Sequence, residues 1–176
     1  MRRLCLSTGH ITQFACTAVV MALSLNTVSS QASAEEQQWS SPPTHADETP
    51  FADQREAVIW RQDTFKETES LIRQLRFDIV NQRDLSAAGP RIETLRQMAS
   101  ADNMLPAFIE GSHGPGSDAR PEIWEEWDRY REGFDRLDSE IATLMEAVNN
   151  QDVRAAAKGL SDVGASCKSC HRGYRY

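Results

Sequence analysis

Cys167, Cys170 and His171 fall within the stretch Cys-Lys-Ser-Cys-His, near the C-terminal end of the 176-residue sequence. C-x-x-C-H is the spacing of covalent c-type haem attachment. Two thiols three residues apart can each add across one haem vinyl group. The adjacent imidazole is then held against the iron as an axial ligand. Three rival chemistries share part of the motif. A zinc site needs further Cys or His ligands. Beyond residue 34 the sequence offers only His45, His113 and His171, with no second pair at a fitting spacing. A thioredoxin-like pair opens a helix after a strand, whereas this pair closes a helical pattern. A plain disulfide would not call for the histidine.

The elements that must position these residues are helical. Ile123, Trp127, Tyr130, Phe134, Leu137, Ile141, Leu144 and Val148 alternate steps of four and three. Such a seam packs left-handed helical bundles. Pro121 suits the first turn of that helix, where its missing N–H has no partner in any case. An earlier seam runs through Val58, Arg61, Phe65, Thr68, Ile72, Leu75 and Ile79, and carries a charge at Arg61. The last runs through Val153, Ala156, Leu160, Val163, Cys167, Cys170 and Tyr174, so both cysteines lie on a core-facing stripe. A shorter helix is expected from Pro90 to about Ala101, through Ile92, Leu95 and Met98. Residues 102–120 contain Pro106, Gly111, Gly114, Pro115 and Gly116 and cannot form one continuous helix. No stretch alternates with the period of two expected of strands. Four apolar stripes are buried most economically in an all-α, antiparallel four-helix bundle.

Residues 1–34 read as a signal peptide that is removed. Arg2 and Arg3 precede an apolar run from Phe14 to Leu25, and Ala32-Ser33-Ala34 supplies small residues for cleavage. The run is shorter than the ~20 residues of a membrane span. Cleavage there discards Cys5 and Cys16 and leaves 142 residues, with Cys167 and Cys170 as the remaining cysteines. Losing Arg2 and Arg3 deepens the formal charge from −7 to −9. Such a surface repels nucleic acid and anionic membranes. Residues 35–50 are polar and contain proline, and are expected to form a flexible leader ahead of a bundle at 51–176.

At this point the chain resembles the cytochrome c′ family over about residues 53–176. The matching segments are Trp60-Arg61-Gln62-Asp63-Thr64-Phe65, Asp118-Ala119-Arg120-Pro121-Glu122-Ile123-Trp124, and Val163-Gly164-Ala165-Ser166-Cys167-Lys168-Ser169-Cys170-His171 with Tyr174-Arg175. The resemblance implies one covalent haem c on Cys167 and Cys170, with His171 as the proximal iron ligand. It also implies that Arg61 and Gln62 contact the haem propionates. The alternative for Arg61 is a side chain that snorkels to water. Asp118 matches an acidic position near the haem edge, or else caps the helix that follows. Arg175 matches a basic residue beside the proximal imidazole, or else is a solvated residue at a helix end.

Low-spin relatives of this fold place a methionine on the distal side of the haem, where this sequence has Phe65. No Met, His or Cys occurs between Ala46 and Gln97. The expectation is therefore a five-coordinate, high-spin iron with Phe65 shielding its open face. Thr68 stands one turn further on, where its hydroxyl could enter the distal pocket. An open apolar site selects nitric oxide and carbon monoxide, whereas dioxygen usually wants a hydrogen-bond donor. The expected function is a periplasmic monohaem cytochrome that binds diatomic gases and exchanges electrons with a redox partner. The alternatives are an electron carrier without a gas role, and a weak peroxidase using Glu67 or Glu69. A homodimer paired through the first two helices, with Leu71 exposed, competes with a monomer.

Overall fold

The computed structural model describes residues 39–176. The expected signal peptide, and the first residues of the expected leader, lie outside the described residues. Four long helices form the bundle: α1 (Gln54–Arg76), α2 (Leu85–Met98), α3 (Trp127–Asn149) and α4 (Val153–Tyr174). Among the described residues the β-type pairing is one isolated antiparallel bridge, Ala119 with Arg175. No helix among them is long and apolar enough to cross a membrane.

Each helix begins where its capping chemistry dictates. Asp53 accepts from the Glu56 amide at 2.8 Å and starts α1. Asp152 accepts from the Arg154 and Ala155 amides and starts α4. Asp84 does the same for α2 through the Ser86 and Ala87 amides. The expected start of α2 at Pro90 is thus corrected to Leu85. A side-chain cap satisfies amides that would otherwise lack partners, so the helix starts there and tolerates Pro90 one turn inside. α1 runs on into a π-helical segment, Phe77–Gln82, and Arg83 then closes it in the left-handed conformation (φ 56°). Only Arg83 and Asp84 separate that segment from α2.

The long α2–α3 connection contains two short helical pieces, Ala101–Met104 and Leu105–Ala107. Pro121 precedes a single turn, Glu122–Glu125, and the backbone breaks at Glu126 before α3 begins. Along the seam Ile123, before the break, and Trp127, Tyr130, Phe134, Ile141, Leu144 and Val148 in α3 are buried, and Leu137 is half-buried.

The core among the described residues has two large parts and a small third cluster of Ala57, Ala107 and Ile109. An aliphatic half joins Leu75, Ile79, Ile92, Leu95, Ile141, Leu144, Leu160 and Val163. An aromatic half joins Trp39, Phe108, Trp127, Tyr130 and Phe134 with Met104, Leu105 and Ile123. Two expectations need correction. Residues 39–50 are not a free leader, because Trp39 is only 9% exposed and belongs to the aromatic half. Leu71 is half-buried against the aliphatic half. The exposed apolar side chains of α1 and its π-helical continuation are instead Ile59, Phe65, Phe77 and Val80.

Candidate functional site

Beside the aromatic half lies a cavity of about 760 Å³, bounded by α1, α3, α4 and the α2–α3 connection. This explains the exposure of Phe65, at 39%, on an otherwise core-facing stripe. Phe65, Thr68 and Ile72 face the cavity from α1, while Cys167, Cys170 and His171 face it from α4. Phe134 and Leu137 line it from α3. The Phe65 and His171 rings stand edge-on, with centroids 6.2 Å apart.

Both thiols are free and half-buried. Burial raises the Cys167 thiol; burial, then Cys167 itself, pushes Cys170 up to about 11. Burial, and then Arg175, lowers the His171 imidazole below its ordinary value. A neutral imidazole is the form that ligates metals. Among the described residues no group of three or more His, Cys, Asp or Glu is placed to hold a bare metal ion. A zinc reading of the pair therefore has no further ligands, whereas two thiols and an imidazole on one wall of a ligand-sized cavity fit a covalent haem.

Arg61 is buried, at 3% exposure, as its place on the seam implies. Its guanidinium is already engaged. Nη1 donates to the Ala107 carbonyl at 2.8 Å and to Ser112 Oγ at 2.7 Å. Nη2 donates to the Ser112 carbonyl and to Ser117 Oγ. The Arg61 Cζ also lies 4.7 Å from the Phe108 ring centroid. Burial pulls its pKa down to about 10, so the group stays charged at neutral pH. A buried charge does need partners, and the loop supplies these. Gln62 likewise donates to the Gly116 carbonyl at 2.9 Å. Both side chains still line the cavity.

Asp118 does not cap a helix, since Pro121 holds the cap position. It pairs with Arg175 at 3.0 Å. Around that pair the Tyr176 amide donates to the Asp118 carbonyl and the Arg120 amide to the Tyr174 carbonyl. The loop before α3 is thus clasped to the end of α4. Thr68 lines the cavity, but its hydroxyl donates back to the Thr64 carbonyl at 2.8 Å. Its proton is not free to serve a ligand. Glu69 accepts from Arg73.

A family model described as Cytochrome C′ matches residues 56–175. The chain belongs to the cytochrome c′ family. Cytochrome c′ of Alcaligenes xylosoxydans xylosoxydans is 30% identical over 127 residues, covering 71% of this chain and 97% of that protein. Cytochrome c-554 of Cereibacter sphaeroides is 30% identical over 94 residues, covering 52% of this chain and 61% of that one. Among solved structures, a nitric oxide complex of a cytochrome c prime mutant from Alcaligenes xylosoxidans gives a TM-score of 0.64 at 29% identity. It covers 71% of this chain and 98% of that chain. A carbon monoxide complex of another variant of that protein gives 0.63 at 30% identity, with 71% and 98% covered. As in other cytochromes c′, one haem c is carried covalently on Cys167 and Cys170.

Several cytochrome c′ cavity residues escape a reading of the sequence. Met104 and Phe108 come from the irregular connection. Ser112 and Ser117, which hold Arg61, lie 51 and 56 residues from it. No periodic pattern marks them. Tyr130 is visible as a core residue, but its position on the cavity wall is not.

Proposed function

We propose that this cytochrome c′ is an exported, periplasmic protein whose haem iron is held by His171 and is five-coordinate and high-spin. Nitric oxide and carbon monoxide are its ligands. The bound haem supplies one open iron position for a neutral diatomic. The signal-like residues 1–34 support export. The observation that carries the reading is the pairing of His171 with Phe65 across the cavity. One side offers an imidazole and the other a ring that cannot ligate iron. Of the polar side chains that line the cavity beside Phe65, Thr68 donates to its own helix, Lys66 pairs with Asp63 and Glu69 with Arg73, while Glu67 does not line it. This favours nitric oxide and carbon monoxide over dioxygen, and gas binding over peroxide turnover.

Visible spectra of the oxidised, reduced and gas-treated protein test this reading. High-spin spectra in both redox states are expected, with clear shifts on adding carbon monoxide or nitric oxide. A low-spin, six-coordinate reduced spectrum, or one unmoved by either gas, overturns it.

Electron exchange is a second role of the same site. It is favoured by the open mouth of the cavity, where Lys66, Lys168 and His171 are exposed. Stopped-flow oxidation by small periplasmic electron carriers tests it, and uniformly slow exchange counts against it.

A further inference from the structure

Residues 39–52 precede the region matched by the family model, 56–175, yet they are built into the wall behind the cavity. That wall is an irregular segment, residues 104–109, in which all six residues are buried. Buried loop backbone must find internal partners. Arg61 supplies one at the Ala107 carbonyl, and the Trp124 indole N–H supplies another at the Phe108 carbonyl. Two residues on, the Glu110 amide donates to the Pro43 carbonyl at 2.7 Å. On the other side the Trp127 indole N–H donates to the Trp39 carbonyl at 2.8 Å. The Trp39 ring packs in the same apolar cluster as Met104, Phe108 and Trp127, a cluster that extends to Cys170. Phe51 completes the attachment, packing at a tilt against Trp60 with centroids 5.3 Å apart.

We infer that residues 39–52 are a strap belonging to the haem-binding unit, and that Trp39 is a positioning residue for the cavity wall. Trp39 does not line the cavity. It acts through Met104 and Phe108, which line the cavity, and through Trp127 at the start of α3. Without its ring, the segment 104–110 loses the apolar cover on its outer side. The side chains facing the haem then lose their fixed places. The inference rests on the haem cavity, and not on which gas enters it.

The test uses the haem-loaded protein and two variants, Trp39→Ala and Trp39→Phe. Hydrogen exchange read by mass spectrometry reports on the wall, and carbon monoxide association after flash photolysis reports on the pocket. In Trp39→Ala, exchange in residues 104–112 should rise by about tenfold or more, while residues 141–148 and 156–163 keep their protection. The carbon monoxide rate should change several-fold in the same variant, roughly tracking the loosened wall. Trp39→Phe keeps a ring and the backbone carbonyl, and should recover most of both effects. Exchange that rises only within residues 39–50 overturns the inference, as does a uniform rise across the four helices. An unchanged carbon monoxide rate overturns it too. If the unmodified protein binds no carbon monoxide, the functional reading fails by itself, and exchange together with the Soret band decides the strap.

Discussion

Phe65 and Arg61 show what single side chains contribute to this cytochrome c′. Phe65 holds the face of the cavity opposite His171 with a side chain that has no lone pair to offer. Replacing it by methionine places a thioether where the ring stands. Phe65→Met is expected to convert the ferrous haem from high-spin to low-spin. Its apparent carbon monoxide affinity should fall by roughly tenfold or more, because the sulfur must leave before the gas enters. A Phe65→Met protein that stays high-spin would show that this position does not face the iron. Arg61 illustrates a demand that sequence can state and only structure can answer. A charge on an apolar seam requires partners. They turn out to be the carbonyls of Ala107 and Ser112 and the hydroxyls of Ser112 and Ser117.

Between elements, the closest approach of α3 and α4 is set by Gly159. A Cβ built there would stand 3.1 Å from Leu144 Cα, a backbone atom that cannot turn aside. Gly159→Ala gains up to about 1 kcal/mol of helix propensity. Forcing the helices apart costs about 1–3 kcal/mol, so net destabilisation is expected. Gly89 in α2 differs: across the bundle a Cβ there would meet a Val148 methyl at 4.0 Å, an ordinary contact, but within its own helix it precedes Pro90, whose ring crowds a Cβ on a helical neighbour. Gly89→Ala therefore sets a propensity gain of roughly 0.5–1 kcal/mol against that local clash, and no net stabilisation is expected. Urea unfolding of the two variants separates the cases, and a Gly159→Ala protein as stable as the parent would remove the close-packing argument.

The whole molecule divides its work between two halves of one core. Aliphatic side chains fasten the four helices at one end, and aromatic side chains surround the haem cavity at the other. The aromatic half gives the fold its alkaline limit. Burial, above all, holds the Tyr130 phenol well above its ordinary 10.0, and burial followed by the Glu126 hydrogen bond raises Tyr174. Below the ordinary value both folded and unfolded chains keep these protons, and the stability is complete. Above it the unfolded chain releases protons that the folded chain retains, so stability falls as pH rises. Tyr130 alone contributes up to about 1.4 kcal/mol of loss per pH unit. Urea midpoints should therefore hold up to about pH 9 and drop between about pH 9 and pH 11, and Tyr130→Phe should flatten the drop. A midpoint independent of pH in that range would contradict the assignment.

The sequence by itself determined the helical class, the bundle seams and the haem attachment at Cys167 and Cys170. These depend on neighbours three or four residues apart, and local spacing carries that information. It misplaced the start of α2, because a capping aspartate six residues before Pro90 outweighed the proline. Tertiary structure alone decided what surrounds the haem site. Thr68 uses its hydroxyl on its own helix, Arg61 directs its charge to a loop 46 to 56 residues away, and a polar leader becomes the back of the pocket. Each outcome depends on which distant groups burial brings together. The C-x-x-C-H spacing says where the haem is fixed, but the wall around it is assembled by packing.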